Sequence, residues 1–180
     1  MPLTDPTLSV RAFVDADAPA LTGLLHDAYA ELGARGLNYT AVDQDEDTTR
    51  RRARGGRCWV VERDGRLVAT LTMSLPPSAG LQDLTVEARR PGRAWLNQVA
   101  VAPSLRRAGV ARALWGIGRA WAAEHGAGSI GVDTAAAADH LVRLYRSWGF
   151  EHRDTIHWPG KTYDSVVMVH EPGAAAPGGR

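Results

Sequence analysis

One cysteine, one lysine and two phenylalanines are all that this 180-residue chain holds of those residue types. With Cys58 alone, an internal disulfide framework and a multi-cysteine zinc site are both excluded. An excess of either charge is missing too. Lys+Arg 21 against Asp+Glu 20 leaves a formal +1 and a pI near 8.0, below the pI of about 9 and above that marks nucleic-acid-binding domains. No apolar run approaches the roughly 18 residues of a membrane span. The opening MPLTDPTLSV has no basic-then-apolar leader pattern. The expectation is a cytoplasmic protein with neither nucleic acid nor membrane as partner.

What is present is ordinary for a globular domain: 44% hydrophobic and 23% charged residues. A chain of this length hides roughly 70% of its unfolded surface on folding, so one core suffices without staples. Lys161, the only lysine among 21 basic residues, reads as compositional bias.

Residues 8–14 read as a first strand. Asp17 then offers an N-cap, and Leu21, Leu24, Leu25 and Ala28 recur at helical spacing until Gly33 and Gly36. Residues 43–54 form a second, more polar helix. Strands at 58–62 and 67–75 flank Asp64-Gly65, a strong two-residue hairpin signal. A Pro-, Gly- and Arg-rich loop covers 76–93, and a strand at 95–102 stops at Pro103. Val110, Leu114, Ile117 and Trp121 mark a long helix ending near Gly126, followed by a strand at 129–134. Leu141, Leu144, Tyr145 and Trp148 form the stripe of another helix, with Gly149 as its left-handed terminator. Strands at 151–156 and 165–170 close the chain around the turn Trp158-Pro159-Gly160. The order implies an α/β (α+β) fold: a mixed, mainly antiparallel central sheet of about seven strands flanked by helices on both faces. One domain takes residues 7–170. The tail 171–180 has no periodicity and is expected to be disordered.

Three signals carry less than they suggest. Gly126-Ala127-Gly128-Ser129-Ile130-Gly131 spells a dinucleotide fingerprint, but that motif needs a strand before it and a helix after it. Here the order is reversed, which makes it a helix-to-strand loop. Arg50, Arg51, Arg52, Arg54 and Arg57 follow Asp43, Asp45, Glu46 and Asp47 along one helix. That polarity complements the macrodipole, with Glu46–Arg50 and Asp47–Arg51 as i, i+4 pairs, so a solvated face accounts for it. Cys58 lies within an apolar strand and reads as a buried thiol.

The informative segment runs from Leu96 to Arg112. A strand ends at Pro103, a turn follows, and Gly109 precedes an amphipathic helix. Amides at a helix N-terminus are unpaired donors carrying about half a positive charge. Small residues at 108, 109 and 111 let an anion approach, and Arg106, Arg107 and Arg112 add charge, which makes a phosphate cradle. The nucleotide-hydrolase pattern G-x-x-x-x-G-K-[ST] is absent. An arginine-flanked helix cap is the plainer alternative.

The segment resembles the GNAT superfamily of acetyl-CoA-dependent N-acetyltransferases, whose [QR]-x-x-G-x-[GA] appears as Arg106-x-x-Gly109-x-Ala111. A second family signature, close to A-x-x-L-Y-x-x-x-G-F, appears at Leu141 to Phe150, with Leu144, Tyr145, Gly149 and Phe150 in place. The resemblance spans residues 8–170. It implies acetyl transfer from acetyl-CoA, as co-substrate, to an amine of a small molecule or peptide by direct attack, with no metal and a homodimer compatible. Val99, Ala100 and Val101 would pair with the pantetheine arm. Arg106, Arg107, Ala108, Gly109, Val110, Ala111 and Arg112 would take the pyrophosphate. Tyr145 would protonate the departing thiolate; filling the apolar stripe with Leu141, Leu144 and Trp148 is the plainer alternative. The chain departs from its relatives at Asn97, where many carry glutamate, and at Ala138, where many carry asparagine. Asp133 could take the amine proton through water or be a mere strand-end cap, and Asp139 or His140 could substitute near Ala138. A catalytically silent acyl-CoA-binding module is the alternative function. The acceptor would be shaped by residues 33–47 and by the turn at 158–163.

Overall fold

The computed structural model describes residues 5–171; of the expected tail, Glu171 is described, and 172–180 lie outside the described residues, as do 1–4. Seven strands, β1 (Ser9–Ala12), β2 (Arg57–Arg63), β3 (Arg66–Ser74), β4 (Arg93–Val101), β5 (Ser129–Ala135), β6 (Glu151–Ile156) and β7 (Ser165–His170), form one sheet ordered β1-β2-β3-β4-β5-β7-β6. The helices are α1 (Ala18–Ala34), α2 (Thr40–Asp43), α3 (Glu46–Arg54), α4 (Ala79–Leu84), α5 (Val110–Glu124) and α6 (Asp139–Ser147). β4 and β5 run parallel, whereas β1–β2, β2–β3, β5–β7 and β6–β7 are antiparallel. The mixed, mainly antiparallel sheet is therefore as expected. Two compact units compose the chain: residues up to Ser74 with Leu96–Trp121, and Leu75–Trp95 with the residues from Ala122 onward.

In the first unit, Asp64 and Gly65 both take positive φ (51° and 73°), the signature of the tight turn that matches strand twist. Alternation along β2 then sends neighbours to opposite faces. Cys58 joins Leu21, Leu24, Leu25, Ala41, Ala53 and Ala100 in one apolar cluster. Trp59 instead meets Trp121 of α5 edge-on, with centroids 6.0 Å apart. α5 approaches β3 closely at Gly118, where a Cβ would lie 3.0 Å from Leu71 Cδ2. Cys58 is the buried thiol expected, and burial pushes its proton affinity up.

Three local expectations change. The helix expected at 43–54 is interrupted, because Gln44 is extended (ψ 143°) and the Asp45 carboxylate accepts from Thr48 N at 2.7 Å, capping α3 afresh. Its arginines find other partners than the i, i+4 pairs: Arg50 meets Asp47 at 2.6 Å, Arg51 meets Thr48, Arg52 meets Gln44 and Arg54 meets Asp15. Asp17 precedes α1 but makes no side-chain cap bond. Its carboxylate accepts from Arg11 at 2.7 and 2.8 Å and from Val14 N, and the guanidinium holds its carboxyl below the usual range. Gly33 lies inside α1 rather than at its end; a Cβ there would meet Val42 Cγ1 at 2.8 Å.

In the second unit, the expected loop at 76–93 contains α4 and a 3-10 turn, Val86–Arg89. Arg93 opens β4 as a buried cation. It donates to Ser129 Oγ at 2.9 Å, to Glu171 at 3.1 Å and to the buried Glu87 carboxylate. Glu171 thus takes part in an ion pair. Leu81, Ala88, Trp95, Ile156 and Val167 make this unit's apolar cluster.

Candidate active site

The loop from β4 into α5 has two left-handed residues, Arg107 (φ 66°) and Gly109 (φ 79°). Such alternation turns successive N–H groups toward one side and builds an anion-binding concavity. A Cβ on Gly109 would meet nothing within 4 Å. Glycine is therefore needed for its backbone angle, and the space over the loop is open. The first intrahelical bond of α5 runs from Ala113 N to Gly109 O at 3.0 Å, so the amides of Val110, Ala111 and Arg112 precede the ladder. Arg107 and Arg112 are exposed. Arg106 turns to α1, where it pairs with Glu31 at 2.9 Å and donates to Ala28 O. Donors, open space and positive charge fit a pyrophosphate.

β4 leads to this loop through Val99, Ala100 and Val101. Ala100 is in the apolar cluster, and Tyr29 Oη donates to Val99 O at 3.0 Å. The register with β5 takes in Arg93, Ala94 and Trp95 only, among the described residues. Gln98 has φ 44°, a conformation that costs a non-glycine residue about 1–3 kcal/mol. Among the described residues, three non-glycines share positive φ. One is the hairpin residue Asp64, and the other two, Gln98 and Arg107, flank this stretch. Asn97, at the glutamate position, donates to Ser74 Oγ at 3.1 Å.

Asp133 is built into place by its neighbours in the second unit. Trp95 pairs with Gly131, and a Cβ at 131 would lie 2.2 Å from Trp95 Cζ3. The missing side chain thus lets the indole lie across β5. Two residues on, along the same face, its Nε1 donates to Asp133 Oδ1 at 3.0 Å. Trp158, from the turn after β6, donates to Oδ2 at 2.8 Å. Donors on both oxygens fix the carboxylate's orientation. Gly131 therefore serves indole packing and not a nucleotide.

Tyr145 is fixed by the way α6 ends. Gly149 is left-handed (φ 89°), Gly149 N bonds Arg146 O, and Phe150 N bonds Tyr145 O at 3.1 Å. This is the six-to-one, five-to-two pattern of a Schellman stop, which brings the residue after the glycine against the third-last helical residue. Accordingly, Phe150 meets the Tyr145 ring at 5.8 Å, and Trp148 meets it at 5.6 Å. The spacing Tyr-x-x-x-Gly-Phe is the chemistry of this stop. Tyr145 is buried; Ala138, also buried, caps α6, with Asp139 and His140 exposed in its first turn.

Solved structures similar in fold to this chain include acetyltransferases. The ribosomal-protein-S18-alanine N-acetyltransferase from Escherichia coli has TM-score 0.68 and 16% identity, over 91% of this chain and 93% of that one. The ribosomal-protein-alanine N-acetyltransferase from Brucella melitensis has TM-score 0.62 and 22% identity, over 91% and 99%. These likenesses establish the fold. The family model "Acetyltransferase (GNAT) family" matches residues 21–150, and the chain belongs to that family. A curated relative, S-(2-succino)cysteine N-acetyltransferase of Bacillus subtilis (strain 168), is 35% identical over 66 residues, or 37% of this chain and 40% of that protein. The match therefore spans about two fifths of that relative's length.

Sequence reasoning missed the two indoles on Asp133 and the side chain of Gln98. The second had a signal. Asn97 and Gln98 are consecutive amides in an apolar strand, so alternation had to turn one of them inward.

Proposed function

We propose that the protein transfers an acetyl group from acetyl-CoA to the amine of a small molecule or peptide, by direct attack. The observation that carries this reading is the open, doubly left-handed loop at the start of α5, which suits a pyrophosphate. Acetyl-CoA, when bound, supplies an acyl group already activated as a thioester. The amides of Val110, Ala111 and Arg112, with Arg107 and Arg112, would hold the pyrophosphate, and Arg106 would brace the loop against α1. Val99, Ala100 and Val101 would pair with the pantetheine arm as an added strand. Tyr145 holds the proton for the departing thiolate. Asp133, oriented by Trp95 and Trp158, takes the proton of the acceptor ammonium through a water. With Cys58 buried, no acyl-cysteine step is invoked.

The name of the Bacillus subtilis relative supports a small-molecule amine as acceptor. Among the described residues, no helix is long and apolar enough to cross a membrane, which is compatible with a place in the cytoplasm. Thiol release from acetyl-CoA across a panel of amines tests the reading. Turnover is expected with at least one amine, and Tyr145→Phe, which keeps the ring packing, should lower it by about 10²–10⁴-fold. Failure with every amine favours the silent binding module. A folded Phe variant with full turnover leaves Tyr145 a packing residue.

A further inference from the structure

The register of β4 with β5 ends at Trp95 among the described residues. Which groups this leaves at the edge follows from one bond on the other side. Ala102 N, just past β4, donates to Val68 O of β3 at 2.8 Å, so the backbone groups of residue 102 face β3. Along an extended strand, successive residues turn their N–H and C=O to opposite sides. Ala100 therefore faces β3 as well, while Val99 and Val101 present theirs to the opposite, open side. An open strand edge is a template on which a further strand can pair.

That side is not bare. Tyr29 Oη of α1 donates to Val99 O at 3.0 Å. The Tyr29 ring packs against the apolar cluster of Leu21, Leu24, Leu25 and Ala100, and it meets Tyr39 edge-on at 5.3 Å. Ring packing thus fixes where the hydroxyl stands. The same turn of α1 also grips the loop before α5, since Glu31 and Ala28 O accept from Arg106 at 2.9 and 3.2 Å. Both stretches assigned to the co-substrate therefore touch one turn of α1. Tyr29, Val99 and Val101 are half-buried. The edge is open in part to solvent, where water would serve the carbonyl much as the phenol does.

We propose that Tyr29 sets the affinity for the co-substrate arm: its hydroxyl stands where an amide N–H of the arm must donate, and it is displaced from Val99 O when the arm pairs there. This assignment rests on the acetyl-CoA reading above. It adds to that site a positioning residue that lies outside both family signatures. The phenol O–H and the amide N–H seek the same acceptor, so the bond the arm gains is offset by the bond α1 loses. One such bond between neutral groups is worth about two- to tenfold in affinity.

Calorimetry with two probes tests it: CoA, and the phosphorylated ADP half of CoA, which ends at the pyrophosphate and carries no arm. Tyr29→Phe keeps the ring and its packing while removing the hydroxyl. It should bind CoA about two- to tenfold more tightly than wild type and bind the armless half equally well. A hydroxyl that only braced β4 would, on removal, leave CoA binding unchanged or weaker, and either result overturns the assignment. Equal tightening of both probes puts the effect at the loop and overturns it too. So does a crystal structure of wild type with CoA in which Tyr29 Oη still donates to Val99 O, a measurement that requires no variant to fold. Wild type that binds neither probe overturns the acetyl-CoA reading itself, and is thereby distinguished from CoA binding that is indifferent to Tyr29.

Discussion

Gly131→Ala places a methyl group where the Trp95 indole already lies. The new carbon would sit 2.2 Å from Cζ3, 2.3 Å from Cε3 and 2.8 Å from Cη2. Carbon pairs are comfortable at about 3.5–4.0 Å, so something must move by about 1.3 Å. The ring cannot yield cheaply: Trp95 is fully buried and packs among Leu81, Ala88, Ile156 and Val167. Overpacking of this kind costs about 1–3 kcal/mol. If the indole tilts, its bond to the Asp133 carboxylate goes too, worth about 1.5–3 kcal/mol for a charged partner. The expected loss is about 3–5 kcal/mol, read from urea unfolding followed by circular dichroism, with the aromatic signal changed in the folded variant. Gly128→Ala is the matched control, since a Cβ there meets nothing within 4 Å. It should change stability by no more than about 0.5–1 kcal/mol, in the stabilising direction if at all. A Gly131→Ala protein within about 0.5 kcal/mol of wild type would refute this account of the Trp95–Gly131 contact.

Other consequences are equally direct. Gly109→Glu puts a side chain on a left-handed backbone and an anion over the loop, so calorimetry should show CoA binding at least about tenfold weaker (1.4 kcal/mol) in a folded variant; normal binding would move the phosphate site elsewhere. Asp133→Asn should lower turnover at neutral pH by about tenfold or more, and raising the pH should restore it as more acceptor arrives neutral. Parallel pH profiles for wild type and variant would leave Asp133 an anchor for the two indoles and no carrier of protons. Asp17 is held below the ordinary carboxylate range by Arg11. Its contribution is therefore full above the unfolded value of about 3.9 and lost as pH falls through the folded value. Asp17→Asn should be less stable than wild type by about 1–2 kcal/mol near neutrality, discounted for the part-exposed Arg11. That gap should close below about pH 4, and a constant gap across the acid range contradicts the ion pair.

The sequence alone determined whatever local chemistry decides. Asp64-Gly65 makes a hairpin because both residues tolerate positive φ. Gly149 stops α6 because its backbone is free to turn left, and that stop carries Phe150 onto Tyr145. The strands, the long helix α5 and the loop that opens it follow from periodicity and from where small residues and proline fall. The split at Gln44 escaped because Asp45 captured an amide that periodicity alone would have left in one helix. Asp17, Arg106 and Asp133 were visible as charges, but their partners come from Arg11, Glu31, Trp95 and Trp158. Those last three lie about 75, 38 and 25 positions away in the chain. Such pairings depend on strand register and on which way a side chain leaves its strand, and a one-residue shift in register reverses both. Gln98 shows the division most clearly. Its residue type and its place in an apolar strand stood in the sequence, whereas its backbone angle, its bond to Gln44 and its unmatched N–H exist only once β4 is laid beside the helices that bury it.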